Sequence, residues 1–133
     1  MKKTLTSLIL SGIVGCCSVT CDINQDMPSD VEKVLKRADF YEYVIKNIND
    51  IRFVDIVNDG KNTGESCWRG SCCTTLIAEH YYDYSQNPPL KEAYKDIARA
   101  SILVHEAAHC ETKSGSERYP NSKEQEFNST FYK

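Results

Sequence analysis

The stretch ASILVHEAAHCETKSG, residues 100–115, places two histidines four positions apart, with a glutamate directly after the first. Residues at this spacing lie on one face of an α-helix, so His105 and His109 can share one zinc ion. Glu106 lies about 100° around the helix, where it can take a proton from a metal-bound water. The spacing is the H-E-x-x-H pattern of catalytic zinc helices. A buried core pair of histidines is the alternative; we favour the metal site because two of the chain's three histidines lie in the motif.

The same stretch lies within a long helix predicted over residues 90–113. Its apolar side chains recur at helical spacing along one side, and Gly115 follows where the helix can end. A shorter helix is predicted over residues 121–133, where Asn121 or Ser122 can cap the first turn. These two helices would form the C-terminal half of the domain.

The sequence before the long helix predicts one helix and a small sheet. Residues 28–50 carry apolar side chains at helical spacing, and Ser29 can act as the N-cap. Residues 51–57 alternate apolar and polar side chains as a half-buried strand does, and residues 72–82 are rich in β-branched and aromatic residues. Residues 67–78 are a candidate edge strand beside the long helix. We therefore predict an α+β fold: an N-terminal helix, a small sheet, the long HExxH helix and a short C-terminal helix.

A catalytic zinc site needs a third protein ligand and keeps one position for water. After His109 the chain contains no His and no Asp, which leaves glutamates as candidates. Glu111 points about 200° away from His109 on the same helix. Glu117 follows the helix end closely and would need a tight return of the chain. Glu124 and Glu126 begin the next predicted helix, which a loop can bring under the metal, so we favour these two.

In this region the sequence resembles the gluzincins, zinc metallopeptidases with HExxH on one helix and a glutamate on the next. EQEFN, residues 124–128, looks like the family's E-x-x-A-[DN] signature, with Phe127 where the family usually has a small residue. The resemblance covers residues 90–131 and implies a minimal zincin-like metallopeptidase domain over residues 29–133.

The resemblance also assigns roles to individual residues. One zinc ion would be held by His105, His109 and Glu124, with Glu126 as the alternative third ligand. Glu106 would be the catalytic base, and Asn128 would steady a ligand histidine. The implied reaction is hydrolysis of a peptide bond in a peptide or protein substrate that an edge strand holds by β-pairing. The residues available to assist the oxyanion are Tyr119 and His80.

The N-terminus has the pattern of a targeting segment. MKK is basic, and the uncharged run TLTSLILSGIVG is about twelve residues long, too short to span a bilayer. The run leads into IVGC, residues 13–16, which resembles the lipobox of bacterial lipoprotein precursors. The resemblance implies a signal peptide over residues 1–15, a lipidated Cys16 and a tether over residues 16–28. The domain would then be anchored in the bacterial cell envelope, facing the periplasm or the exterior. Ordinary signal cleavage, for example after Thr20, is the alternative.

Export into an oxidising compartment indicates that the remaining cysteines form disulfides. Without Cys16 six of the seven cysteines remain, an even number that spacing alone cannot pair. We expect Cys110 to pair with Cys73 on the neighbouring strand, because a free thiol beside the second histidine would compete for zinc. Cys67 and Cys72 would then close the WRGS turn.

Composition and charge limit the other classes of function. The formal charge is −3 and no basic stripe is present, which argues against a nucleic-acid partner. We therefore predict a lipid-anchored extracytoplasmic zinc metallopeptidase that contacts the membrane through its anchor. The alternative is a non-catalytic, disulfide-stabilised surface lipoprotein that binds or blocks a protein partner. The small size of the domain favours this alternative, because it leaves little room for a deep cleft. The sequence gives no indication of oligomeric state.

Overall fold

The computed structural model describes residues 18–55, 57–60, 62–79 and 92–131. The predicted signal peptide, Cys16 and His80 lie outside the described residues. Within these ranges the chain forms a small sheet and helices, which confirms the predicted α+β fold. In chain order the elements are α1 (Ser29–Arg37), α2 (Tyr41–Asn47), β1 (Asp50–Val54), β2 (Gly64–Arg69), β3 (Cys72–Ala78), α3 (Glu92–Thr112) and α4 (Arg118–Asn128).

The N-terminal helical region is two helices, so the prediction of one helix over residues 28–50 is wrong. α1 ends in a Schellman motif, in which the Phe40 N–H donates to the carbonyl of Leu35 at 2.9 Å. The Asp39 N–H donates to the carbonyl of Lys36 at 3.1 Å. Asp39 adopts a φ of 63°, a left-handed conformation that Asp tolerates better than most residues. The chain therefore turns before α2, and Phe40 is buried at the corner.

The strands form one sheet in the order β1-β3-β2, with β3 in the centre. β1 runs parallel to β3, and β2 runs antiparallel to it. A tight turn joins β2 to β3, and Gly70 supplies the φ of 61° that such a hairpin requires. Within the described chain β2 is thus an edge strand, over Gly64–Arg69. The prediction of one edge strand over residues 67–78 is wrong, because that range contains the end of β2, the turn and the central strand β3.

α3 packs against the sheet and against the other three helices. Its inward side is apolar, with Leu103, Val104 and Ala107 all fully buried. Phe127 of α4 is also fully buried and packs edge-to-face on Phe40, with ring centroids 5.8 Å apart. Burial of a side chain this large contributes roughly 1.5–3 kcal/mol. Phe127 therefore holds α4 against the core and fixes which of its side chains face α3.

Two disulfides join cysteines within the described residues. Cys73 on β3 is bonded to Cys110 on α3, as predicted. The predicted pairing of Cys67 with Cys72 is wrong, because Cys72 is bonded to Cys21. In the hairpin register Cys67 and Cys72 are diagonal neighbours, roughly 7–8 Å apart and beyond the reach of a disulfide. Cys67 is itself disulfide-bonded. These bonds indicate an oxidising, extracytoplasmic environment.

The segment over residues 18–28, expected as a tether, is fastened to the domain. Asn24 forms a parallel bridge with Asp50 at the start of β1. The Thr20 hydroxyl donates to the Asp50 carboxylate at 2.8 Å, and Cys21 is tied to β3 by its disulfide. This part of the chain therefore belongs to the folded domain. Among the residues with described positions, no helix has the length and apolar character needed to cross a membrane.

Candidate metal centre

α3 presents His105 and His109 side by side, with ring centroids 5.0 Å apart. His109 Nδ1 lies 2.8 Å from the carbonyl oxygen of Ser114. Because a carbonyl only accepts hydrogen bonds, this nitrogen carries the proton. His105 Nδ1 similarly lies 2.8 Å from Glu124 Oε1 and donates to that carboxylate. Because both Nδ1 atoms are engaged in this way, Nε2 is the nitrogen of each ring that a metal ion would contact, which is the arrangement typical of metal-binding histidines.

Glu117 reaches both imidazoles from the loop between α3 and α4. Its carboxylate lies 2.8 Å from His105 Nε2 and 3.3 Å from His109 Nε2. One ligand atom from each of these three residues lies within 4.8 Å of the others, so the three could hold a metal ion. The Glu117 side chain is 61% exposed, which leaves the centre accessible from solvent.

The loop that carries Glu117 is shorter than the sequence indicated. α3 ends where Lys113 adopts a φ of 51°, and Gly115, the expected helix end, lies in the loop. α4 begins at Arg118, earlier than predicted, and Pro120 fits its first turn because no helix hydrogen bond is lost there. The chain thus makes the tight return that we considered unfavourable for Glu117.

The three residues predicted on α4 take different positions. Glu124 contacts Nδ1 of His105 and not Nε2, so in this structure it orients the ring from behind. Glu126 is exposed and pairs with a lysine of its own helix at 3.5 Å. Asn128 makes no hydrogen bond to either histidine, and its Oδ1 is buried without a partner in the described part of the chain. The residue that meets both Nε2 atoms is Glu117.

Glu106 lies beside the two histidines and is only 6% exposed. The Ser66 hydroxyl donates to Glu106 Oε1 at 2.7 Å. Burial raises the pKa of the Glu106 carboxyl, although the hydrogen bond from Ser66 and the nearby imidazoles act in the opposite direction. A buried carboxyl with a raised pKa is suited to taking up and returning a proton during a reaction.

β2 approaches α3 so closely that a side chain at position 64 would not fit. A Cβ on Gly64 would lie 2.8 Å from Ile102 Cγ2 and 3.2 Å from Glu106 Cγ. Because side chains alternate along a strand, Gly64, Ser66 and Trp68 share the face directed toward α3. We did not identify these residues from the sequence. Alternation gives their shared face, but only the sheet order reveals that β2 lies beside the helix.

The centre opens into a cleft of about 690 Å³, a volume typical of sites that bind a small molecule or part of a peptide. β2 forms one side, α3 forms the floor, and the loop with the start of α4 forms the other side. The lining residues are Asn62, Thr63, Gly64, Glu65, Ser66, Trp68, Ile102, His105, Glu106, His109, Gly115, Glu117 and Glu124.

The remaining candidates from the sequence lie elsewhere. Tyr119 is partly exposed near Lys123 on α4 and is not among the residues that line the described cleft. Glu111 accepts a hydrogen bond from the Tyr43 hydroxyl at 2.6 Å, away from the histidines. His80 lies outside the described residues. The structure thus brings together His105, Glu106 and His109 of the motif, with Glu117 and Glu124 on opposite sides of the His105 ring.

No family model matches this chain, and no curated protein or solved structure is significantly similar to it.

Proposed function

We propose that this chain is a zinc-dependent peptidase. The observation that carries the proposal is the convergence of His105, His109 and Glu117 beside the buried carboxyl of Glu106. A structural zinc site usually has four protein ligands, whereas a catalytic site has three and keeps one position open. The described residues supply three ligands at the edge of a cleft. A set of three protein ligands favours a catalytic zinc site over a structural one.

The donor set fits zinc. Two imidazole nitrogens and one carboxylate oxygen are ligands that zinc prefers, whereas calcium and magnesium prefer oxygen alone. The hydrogen bonds to Nδ1 of His105 and His109 hold both rings with Nε2 toward Glu117. When bound, zinc would polarise the scissile carbonyl and lower the pKa of a water molecule.

Glu106 would transfer the proton in this reaction. Its Oε1 is held by Ser66, whereas Oε2 makes no hydrogen bond to the described residues and is left for water. The carboxylate would accept a proton from the attacking water as the carbon–oxygen bond forms. It would then donate that proton to the leaving amine nitrogen as the carbon–nitrogen bond breaks.

The cleft supports a peptide as the substrate. β2 is the edge strand beside the centre, and an extended peptide can add to such an edge through main-chain hydrogen bonds. Trp68 and Ile102 provide apolar surface for a substrate side chain in the same cleft. A small molecule without a peptide backbone could not pair with the strand edge.

The proposal includes a lipid anchor at Cys16, which would place the domain in the bacterial cell envelope. The support is the IVGC sequence together with the disulfides, which fit an extracytoplasmic compartment. Replacement Cys16→Ser should block lipidation and leave unprocessed precursor in the membrane fraction. Normal maturation of this variant would show that ordinary signal cleavage operates instead.

The central experiment separates metal binding from hydrolysis. The purified domain should contain about one zinc per chain and should cleave members of a quenched fluorescent peptide library. Glu106→Gln should retain zinc and lose cleavage, because Glu106 is not a metal ligand. Glu42→Gln, the same change at an exposed position of α2, serves as the matched control and should alter neither. A domain that binds zinc and cleaves no peptide would favour the non-catalytic binding protein.

A further inference from the structure

The hydroxyl of Ser66 joins three elements of the fold behind the candidate base. Its Oγ lies 2.7 Å from Glu106 Oε1 on α3 and 2.8 Å from Thr75 Oγ1 on β3. It also lies 3.3 Å from the backbone carbonyl of Glu106. Thr75 is fully buried and Glu106 is nearly so. Ser66 itself is half-buried at the cleft, and its hydroxyl contacts both of these side chains.

The chemistry of the neighbours fixes the direction of these hydrogen bonds. Ser66 has one proton to donate, and an ionised Glu106 carboxylate only accepts, so Ser66 donates to Oε1. Thr75 must then donate to Ser66. The other neighbour of Thr75 is Cys110 Sγ at 3.7 Å, which has no proton because it is in a disulfide. The result is a relay from Thr75 to Ser66 to Glu106, in which each bond strengthens the next.

We propose that Ser66 is a positioning residue that holds one oxygen of Glu106 so that the other faces the metal centre. This inference rests on the proposed function, in which Glu106 is the base. A glutamate side chain has three rotatable bonds, and burial alone does not select the rotamer that reaches the cleft. The hydrogen bond from Ser66 to Oε1 selects this rotamer of Glu106 before the substrate binds. Proton transfer requires such pre-organisation of the base.

The close approach of β2 to α3 makes this contact possible. Gly64 precedes Ser66 by one strand repeat and leaves only enough space for Ile102 and Glu106. A larger residue at position 64 would push β2 outward and move the Ser66 hydroxyl away from the carboxylate. Gly64 thus allows the close approach of β2 to α3, and Ser66 uses this approach to hold the Glu106 side chain.

The test compares three variants of the zinc-loaded domain on a cleaved fluorescent peptide. Ser66→Ala should lower kcat on the order of 10- to 100-fold with little change in KM or zinc content. Ser66→Thr keeps the hydroxyl and should recover most of the activity. Ser101→Ala is the control, because Ser101 is a buried serine on α3 whose Oγ has no hydrogen-bond partner within the described residues. Equal kcat in the wild type and Ser66→Ala, or failure of Ser66→Thr to recover activity lost in Ser66→Ala, would overturn the proposal.

A second measurement needs no activity and so distinguishes this inference from the proposed function. In the metal-free domain, Ser66→Ala should lower the urea midpoint more when Glu106 is present than in a Glu106→Ala background, where only the hydrogen bond with Thr75 is lost. Equal shifts in both backgrounds would show that the two side chains do not interact and would overturn the inference. The wild-type domain could cleave no peptide while the two urea shifts still differ. In that case the peptidase proposal fails, but the inference that Ser66 positions Glu106 is supported.

Discussion

The two walls of the cleft come from parts of the chain at different distances from the HExxH motif. The helical wall, residues 105–124, is one continuous run that contains both histidines, Glu117 and Glu124. The sheet wall, formed by Gly64, Ser66 and Trp68, comes from a strand 40 positions before the residue it contacts, as the bond from Ser66 to Glu106 shows. The helical wall therefore depends on local helix and loop geometry. The sheet wall depends on strand register and long-range packing.

The largest effects are expected from ligand removal on the helical wall. Glu117→Ala and His109→Ala should abolish stoichiometric zinc, because each removes a group that meets the centre directly. Glu124→Ala should retain zinc with an affinity about 10- to 100-fold weaker, as is typical when a group behind a ligand is lost. Titration against a competing chelator would measure the three variants together. If Glu124→Ala lost zinc and Glu117→Ala kept it, the third ligand would be Glu124, as the gluzincin resemblance implies.

The next largest effect should come from the disulfide that joins the helical wall to β3, the strand with which the sheet wall pairs. Cys73 and Cys110 link β3 to α3 next to His109, and they lie 37 positions apart in sequence. Replacing both by serine should cost about 2–4 kcal/mol of unfolding free energy and should also lower kcat, because the walls can then separate.

The matched control for this disulfide is the pair of Cys21 and Cys72, replaced in the same way. Their bond spans 51 positions and fastens the N-terminal segment at the far end of the hairpin from Gly64. We expect a similar loss of stability in urea with little change in kcat. Equal loss of kcat in both double variants would mean that global stability, rather than the link between the walls, controls the site.

The contrast between the walls also explains what could be predicted from the sequence. Helical spacing alone placed His105, Glu106 and His109 together, since residues four apart must share a face. The contact of Glu117 with both Nε2 atoms was not predicted because α3 ends at Lys113 in a left-handed conformation, and nothing in a lysine predicts that conformation. Ser66 could not be found, because alternation along β2 gives its face but not its neighbour.

The same reasoning applies to the fold. The order of elements was predictable because apolar periodicity is a local signal. The break between α1 and α2 was missed because Asp39, not glycine, takes the left-handed position of the cap. The partner of Cys72 was missed because the N-terminal segment returns to the sheet across 51 positions, a contact that no local pattern encodes.

A smaller effect is expected from changing the contact between the walls at Gly64. Gly64→Ala would bring a Cβ to 2.8 Å from Ile102 Cγ2, so either β2 or the Ile102 side chain must shift. The expected cost is about 1–3 kcal/mol, the usual range for overpacking, together with reduced kcat. Gly115→Ala is the control in the same cleft, because a Cβ there would meet nothing within 4 Å. Urea unfolding of both variants measures the difference, and similar midpoints would show that the sheet wall tolerates displacement.

The smallest effect should come from the far edge of the sheet, which belongs to neither wall. Asp50 is fully buried and accepts hydrogen bonds from Arg52 Nε at 3.1 Å and from the hydroxyls of Thr20 and Thr74. Burial acts to raise the pKa of its carboxyl, but these bonds outweigh burial and hold the pKa below its usual value. Asp50→Asn should therefore cost about 1–2 kcal/mol at neutral pH and leave zinc affinity unchanged.

The pH dependence gives this last prediction a specific sign. A carboxyl whose pKa is lower in the folded state stabilises the fold above its unfolded pKa, near 3.9, and loses that contribution as pH falls through the folded value. The gap in unfolding free energy between wild type and Asp50→Asn should therefore be constant above about pH 5 and narrow below about pH 4. Urea unfolding at pH 7, 4 and 3 would measure it. A gap that widened in acid would mean that the folded state favours the protonated carboxyl, and that the hydrogen bonds to Asp50 do not outweigh its burial.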